Sequence, residues 1–209
     1  MKDKIEKIWD RTYKESLREE LGWYEAISEP SLSLIKKYHL DRSQKILDAG
    51  CGESTLIQSL IDNNFKDVEG IDLSLEAIKF QKKNLKNIQS DSNIVLRKAN
   101  LTEGLKFERK GMLWHDRAVF HFIFEESLRD SYKKNIKNFL DDNGIFILAL
   151  FSKENEAEKC NGFLVNKQSI EEVNEFFKDS FLLKETLEYD YKMPWGDVRK
   201  YIYCIFSKI

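Results

Sequence analysis

A short apolar run that passes directly into a glycine turn is the feature that most constrains the fold of this chain. Residues 46–54 read Ile-Leu-Asp-Ala-Gly-Cys-Gly-Glu-Ser, and an amphipathic stretch begins at about Thr55. Glycine lets the backbone approach a ligand without a Cβ in the way, and free N–H groups at the start of a helix attract polar or negative groups. The stretch therefore predicts a strand, a turn and a helix, with a ligand on the turn.

The next apolar run favours a nucleotide-type ligand. It closes at Asp72, twenty residues after Gly52, and an acid at that spacing in a βαβ unit can bind both hydroxyl groups of a ribose. The simpler alternative is a strand, a turn and a surface aspartate without a ligand; the combination of glycine turn, spacing and acid favours the binding site. A dinucleotide fingerprint needs a third glycine where this chain has Thr55, so the fit to NAD is poor.

The rest of the chain predicts an α/β protein with a mostly parallel sheet. Short apolar runs alternate with amphipathic segments, as in repeated βαβ units. The predicted strands are 45–48, 67–71, 93–97, 112–115 and 144–151. Helices begin at about Thr55 and Leu75, and a later helix carries Leu128, Tyr132, Ile136, Phe139 and Leu140. A turn signal at 141–144 precedes the most apolar strand, which we place in the centre of the sheet.

The last part of the chain predicts an antiparallel hairpin. Alternate residues from Phe181 to Tyr191 share one face, and a second strand covers 198–206. Only a short connection containing Pro194, Trp195 and Gly196 lies between them. Two strands joined so closely must be antiparallel neighbours.

The sequence before the first predicted strand indicates two helices that pack over another part of the protein. One helix carries its apolar residues on one side, at positions 5, 8, 9, 13 and 17, and a second begins at Pro30 and runs through about Leu40. We therefore expect one domain over residues 1–209, with a helical N-terminal lid over 1–44 and a core over 45–209.

Composition and charge exclude several classes of protein. The 34 Lys and Arg residues against 36 Asp and Glu leave a net charge of −2, so nothing draws the whole chain to nucleic acid or an anionic membrane. The longest apolar run, 144–151, is far shorter than the roughly 18 residues of a membrane span. Cys51, Cys160 and Cys204 are an odd, scattered set, which predicts no metal site and a reducing cytoplasm. The charged N-terminus is unlike a secretory signal.

The turn resembles motif I of class I S-adenosylmethionine (SAM)-dependent methyltransferases, because Asp48 precedes the glycines and small Ser54 follows them. The terminal hairpin resembles their reversed seventh strand. Further matching pieces are Trp-Asp-Arg-Thr-Tyr at 9–13, Leu-Gly-Trp-Tyr-Glu at 21–25, Trp-His-Asp-Arg-Ala-Val-Phe-His-Phe at 114–122 and Pro-Trp-Gly at 194–196. The chain is similar to bacterial methyltransferases of the type-11/12 kind and, distantly, to protein-lysine methyltransferases. The resemblance implies a Rossmann-like, seven-stranded, mostly parallel sheet with a C-terminal antiparallel hairpin and helices on both faces.

The resemblance also implies SAM as cofactor, S-adenosylhomocysteine as product and a set of binding residues. Asp48 would meet the ammonium group of SAM, and Asp72 would hold the ribose. Asn100 stands where the family has an acid that accepts from the adenine amino group, and its amide oxygen can accept the same hydrogen bond. The other residues implied at the cofactor are Trp23, Gly50, Cys51, Gly52, Leu73, Leu101 and His115.

Polar residues at the end of the fourth predicted strand are the catalytic candidates. His115, Asp116 and His121 interrupt an apolar run beside the ligand crevice. A neutral histidine there can take a proton from the acceptor. The alternative is structural: Asp116 pairs with Arg117, and His121 packs under the helix.

The expected reaction is a direct displacement, in which the enzyme aligns the acceptor and excludes water. The small chain, with no appended recognition domain and a near-neutral charge, favours a small-molecule acceptor. A protein-lysine methyltransferase, a SAM-binding regulatory module without catalysis and a nicotinamide oxidoreductase are the alternatives. Oligomeric state and the accepting atom are not readable from the sequence.

Overall fold

The computed structural model describes residues 2–38, 41–88 and 90–209. Seven strands form one sheet in the order β3-β2-β1-β4-β5-β9-β8. These strands are β1 (Ile46–Ala49), β2 (Asp67–Asp72), β3 (Asn93–Lys98), β4 (Gly111–Arg117), β5 (Leu140–Phe151), β8 (Phe181–Lys192) and β9 (Val198–Lys208), while β6 (Lys159–Cys160) and β7 (Phe163–Leu164) form a separate small hairpin.

The first five strands are parallel, and β9 runs antiparallel between β5 and β8. The chain therefore has the predicted Rossmann-like sheet with a reversed hairpin at its end. The order reverses between β1 and β4, and a parallel sheet opens a ligand crevice at the carboxyl ends of its strands at such a point.

Helices cover both faces of the sheet, as predicted. They are α1 (Lys2–Glu15), α2 (Ser31–Tyr38), α3 (Leu56–Asp62), α4 (Leu75–Leu85), α5 (Glu126–Phe139) and α6 (Ile170–Phe177). One apolar cluster contains residues of α2, α3 and α4, such as Ile35, Ile57 and Ile78. The other contains residues of α5 and α6, such as Ile136 and Phe177. None of the helices in the described part of the chain is long and apolar enough to cross a bilayer.

The N-terminal segment differs from the predicted helices at their ends. The first helix stops at Glu15, and Leu17, predicted on its apolar side, is 66% exposed. The second begins at Ser31 rather than Pro30 and extends to Tyr38, so its predicted end at Leu40 lies outside the described residues. The division into a lid over 1–44 and a core over 45–209 stays a prediction.

The predicted turn before the fifth strand is a bulge within that strand. Leu140, predicted as the last apolar residue of a helix, already pairs with Gly111, and Leu113 pairs with Ile145. Residues 141–143 therefore protrude into solvent, with Asn143 at a φ of 61°. The pairing with β4 resumes at Ile145.

The predicted single face of the terminal strand is divided by a second bulge. Leu183 pairs with Phe206 and Glu185 with Ile205, so one residue of β8 is extra. As a result Phe181 and Leu183 pack in one apolar cluster, and Leu187, Tyr189 and Tyr191 in the other. An extra residue shifts the two-residue period by one, which moves the following side chains to the opposite face.

Candidate active site

The glycine turn between β1 and α3 is held against the end of β2. Gly50 and Gly52 have φ values of 72° and 45°, a region that favours glycine. The Gly50 and Cys51 N–H groups donate to the carbonyl oxygen of Ile71 at 2.7 and 3.0 Å. The turn is thus fixed in position at the carboxyl edge of the sheet.

Asp72, predicted to hold the ribose, closes the same corner. Its Oδ2 accepts from the Gly52 N–H at 2.8 Å, and its Oδ1 accepts from the Ser74 N–H at 2.7 Å. Burial raises the pKa of this carboxyl to about 6, although the two backbone donors lower it. The side chain is therefore oriented by the backbone and is ionised at neutral pH.

Asp48 and His115 lie side by side on β1 and β4, which are neighbouring strands. His115 Nδ1 is 2.8 Å from Asp48 Oδ1, and His115 Nε2 is 2.9 Å from the hydroxyl oxygen of Ser31, the first residue of α2. The Ser31 hydroxyl is 3.3 Å from that of Tyr203 on β9. Within the described residues, the second carboxyl oxygen of Asp48, Oδ2, is buried without a hydrogen-bond partner.

Asp116 faces the other side of the sheet from His115, as alternation along a strand requires. Its oxygens accept from the N–H groups of Val119 and Phe120, at 2.9 and 3.1 Å, and from the Tyr132 hydroxyl. Burial raises its pKa to about 6. These contacts anchor the turn after β4, and a catalytic role for Asp116 stays a prediction.

Arg117 pairs with Glu25 rather than with Asp116. Its Nη2 is 3.2 Å from Glu25 Oε1, and its Nη1 donates to the Trp23 carbonyl oxygen at 3.1 Å. The guanidinium carbon lies 5.0 and 4.9 Å from the ring centres of Tyr191 and Tyr201. Burial raises the pKa of Glu25 to about 7 despite the neighbouring cation.

Sequence reasoning did not single out this pair for the site. The signal was the strand period: Arg117 is two residues after His115 and so shares its face. The Leu-Gly-Trp-Tyr-Glu stretch at 21–25 contains Glu25, but a local sequence does not specify a partner 92 residues away.

His121 is fully buried beside two phenylalanine rings. Its ring centre is 4.4 Å from that of Phe122 and 4.9 Å from that of Phe151. Neither ring nitrogen has a hydrogen-bond partner among the described residues. Burial, helped by the charge of Arg117, lowers its pKa to about 3, so the ring is neutral. Its predicted catalytic role is untested.

Aromatic side chains of the N-terminal segment lie over the glycine turn. The ring centre of Trp9 is 6.0 Å from that of Tyr13 and 5.5 Å from that of Trp23. A Cβ on Gly52 would lie 2.6 Å from the Tyr13 hydroxyl oxygen. The bare backbone of the turn is therefore what lets this ring approach.

Hydrogen bonds of two α1 side chains, Asp10 and Thr12, hold the helix in that place. Asp10 Oδ1 accepts from the Ser74 hydroxyl at 2.6 Å and from the Glu76 N–H at 3.2 Å, at the start of α4. The Asn161 amide donates to the Thr12 hydroxyl at 3.0 Å, which ties α1 to the β6–β7 hairpin.

The other predicted cofactor residues lie around the same edge. Asn100 uses its amide oxygen for the Thr102 N–H and hydroxyl, at 2.9 and 2.8 Å, so an adenine amino group would have to share that acceptor. Leu101 and Cys51 are buried, and Leu73 and Trp23 are half-buried. Among the described residues, no group of three or more His, Cys, Asp or Glu side chains is arranged to hold a metal ion.

Comparison with known families identifies the domain. A family model described as a methyltransferase domain matches residues 40–194. The chain belongs to this methyltransferase family. Among curated proteins, none matches the sequence.

Solved structures share the fold of this methyltransferase domain at low identity. One, from a study of the conversion of a disulfide bond into a thioacetal group during echinomycin biosynthesis, has a TM-score of 0.79 and 16% identity over 98% of this chain and 91% of that chain. A SAM-dependent methyltransferase from Anabaena variabilis has a TM-score of 0.77 and 15% identity over 100% and 95%. The magnesium protoporphyrin IX methyltransferase from Synechocystis, solved with S-adenosylhomocysteine, has a TM-score of 0.65 and 13% identity over 86% and 80%.

The residues of this methyltransferase domain fit the cofactor of such enzymes. The buried oxygen of Asp48 that has no partner in the described part of the chain suits an ammonium group, which supplies N–H donors and a positive charge. Gly50 and Gly52 leave the turn without side chains, and Asp72 lies beside Gly52.

A groove of about 390 Å³ lies between the N-terminal segment and the end of β8 in the methyltransferase domain. Its lining includes three tyrosines, at 24, 189 and 191, and three acids, at 19, 25 and 190, against one basic residue, Lys192. Glu25 belongs both to this groove and to the pair with Arg117, so the groove adjoins the end of β4.

Proposed function

We propose that this chain is a SAM-dependent methyltransferase that acts on a small nucleophilic acceptor. The observation that carries the proposal is the glycine turn, with Asp72 beside it and aromatic rings packed over it, together with the Asp48 oxygen that lacks a partner within residues 2–38, 41–88 and 90–209. These groups suit the ribose and the ammonium of SAM, which supplies the electrophilic methyl group when bound.

Different residues would bind different parts of SAM. Asp48 accepts from the ammonium group, and the bare turn at Gly50–Gly52, with Cys51 buried beneath it, approaches the methionine portion. Asp72 accepts from the ribose hydroxyls, with Leu73 next to it. Asn100 and Leu101 would hold the adenine, and Trp23 and His115 would lie near the sulfonium.

The aromatic cluster supports a small acceptor over a large one. Trp9 and Tyr13 lie on a helix that hydrogen bonds of Asp10 and Thr12 hold against α4 and the β6–β7 hairpin. A covered site excludes water and holds an acceptor in line for direct displacement, which is the main work in this reaction.

The test is a coupled assay for release of S-adenosylhomocysteine over a panel of thiols, amines, phenols and chalcogen oxyanions, with cell lysate as a further arm. We expect turnover with at least one small acceptor. Retention of SAM without turnover on any arm would favour a regulatory module instead.

A second candidate is methylation of an amine, including the lysine side chain of a protein. The groove beside Glu25 favours it, because tyrosine rings and carboxylates attract an organic cation. Lysine peptides and free amines belong in the same assay. Tyr189→Ala should then lower turnover on the amine and leave SAM affinity unchanged.

A further inference from the structure

The site contains a buried polar chain whose purpose the proposed function does not explain. It runs from Asp48 through His115 and Ser31 to Tyr203, with separations of 2.8, 2.9 and 3.3 Å. All four residues are buried, and they come from β1, β4, α2 and β9. Buried polar groups are costly unless they are paired, so such a chain holds its members in place.

The chemistry of Asp48 determines which atoms donate along this series of hydrogen bonds. A carboxylate only accepts hydrogen bonds, so His115 donates from Nδ1 to Asp48 Oδ1. In the tautomer with its proton on Nδ1 alone, Nε2 accepts from the Ser31 hydroxyl, and the Ser31 oxygen then accepts from the Tyr203 hydroxyl. Both ring nitrogens of His115 are thus in use.

Asp48 Oδ2 has no place in this arrangement. Of the side-chain oxygen and nitrogen atoms of the four residues, it is the one that is buried without a hydrogen-bond partner among the described residues. Burial raises the pKa of Asp72 and of the Cys51 thiol, and the charge of Asp48, which lies close to both, raises them further. The free oxygen therefore belongs to the corner where the cofactor would bind.

We infer that His115 is a positioning residue: with Ser31 and Tyr203 it fixes the Asp48 carboxylate so that Oδ2 receives the ammonium group of the cofactor. The inference rests on the proposed function and deepens it. It replaces the general-base hypothesis for His115, because a proton could be taken at Nε2 only after the bond with Ser31 breaks.

The test compares two probes, one with and one without the amino-acid portion that carries the ammonium group. S-adenosylhomocysteine carries it, whereas 5′-methylthioadenosine has the adenosine and sulfur without the amino-acid portion. Calorimetry measures both on wild type, His115→Leu, His115→Asn, Ser31→Ala and Ser180→Ala. Asn keeps an N–H donor close to the position of Nδ1. Ser180 is a matched control, since it is a buried serine that takes no part in the hydrogen bonds from Asp48 to Tyr203.

We expect His115→Leu to lower S-adenosylhomocysteine affinity by about tenfold or more, the usual scale of a charge-assisted hydrogen bond, and methylthioadenosine affinity by less than about threefold. His115→Asn should recover most of the loss. Ser31→Ala should lower the affinity for S-adenosylhomocysteine by about threefold and leave that for methylthioadenosine unchanged. Ser180→Ala should bind both probes like wild type.

Equal losses for both probes would overturn the inference, because they indicate general damage to the site. Unchanged S-adenosylhomocysteine affinity with a much lower kcat would also overturn it in favour of a general base. If His115→Leu does not fold, Ser31→Ala and His115→Asn provide the test. The quantity to compare is then the loss of S-adenosylhomocysteine affinity relative to the loss of methylthioadenosine affinity. A wild type that binds neither probe would instead reject the proposed function and the inference with it.

Discussion

At the scale of single residues, burial sets the protonation of the site. Burial raises the pKa of Asp72 and Asp116 to about 6 and that of Glu25 and Glu53 to about 7. Desolvation disfavours the charged form, and nearby hydrogen bonds or cations only partly offset it. The ribose-binding ability of Asp72 is therefore expected to depend on pH within the physiological range.

Asp72→Asn should lower SAM affinity at least tenfold at pH 7.5, because it removes the charge from hydrogen bonds to the ribose. For wild type, affinity should fall as the pH drops below about 6, where Asp72 takes up a proton. Calorimetry at pH 7.5 and 5.5 measures both effects, and the pH dependence should be smaller in the variant. Wild-type affinity in a folded variant would place Asp72 outside the binding site.

His121→Leu should make the protein more resistant to acid than wild type. The pKa of His121 is lowered to about 3 from 6.5, so in this window the unfolded chain binds a proton that the folded chain does not. Wild type therefore loses stability as the pH falls from 6.5, by up to about 1.4 kcal/mol per pH unit from this group. Urea unfolding at pH 7 and 5 measures the difference, and parallel losses in both proteins would contradict it.

At the scale of elements, close approach between β2 and its neighbours depends on Gly70. A Cβ there would lie 2.7 Å from Ile57 Cδ1 and 2.8 Å from Leu96 Cδ2, while at Gly104 it would meet nothing within 4 Å. Side chains of α3 and β3 thus pack directly against the backbone of β2 at Gly70.

Gly70→Ala should lower the free energy of unfolding by about 1–3 kcal/mol, the cost of overpacking a filled core. Gly104→Ala is the matched control and should change stability little. Urea unfolding of both variants tests this packing, which equal stabilities would refute.

The helix α1 is the element expected to respond to the cofactor. Asp10→Ala removes both of its contacts to the start of α4 and should speed hydrogen exchange over 9–15, while Lys7→Ala, on the exposed side, should not. In wild type, S-adenosylhomocysteine should slow exchange there. Identical exchange with and without ligand would make α1 a structural brace only.

At the scale of the whole molecule, a cofactor that binds only the folded state must stabilise it. S-adenosylhomocysteine at 100 times its Kd should add about 2.7 kcal/mol, which for a chain of this length raises the Tm by roughly 5–10 °C. NAD at the same concentration should have no effect. Thermal unfolding with each ligand measures this, and a shift with NAD alone would point to an oxidoreductase.

Local pattern alone determined much of this molecule. The period of apolar residues and the turn signals predicted all seven strands of the sheet and their mostly parallel order, because each strand must bury its own faces. The glycine turn and Asp72 likewise indicated the position of the site, since both lie within one βαβ unit.

Only the tertiary structure decided which polar side chains meet. Ser31 and His115 are 84 residues apart, and Arg117 meets the Trp23 carbonyl across 94. No local period encodes such a contact, because it depends on the sheet order and on which face of β4 each residue takes. The bulge in β8 likewise moves three apolar residues to the opposite face, since the pairing partner, and not the alternation, decides where the extra residue is inserted.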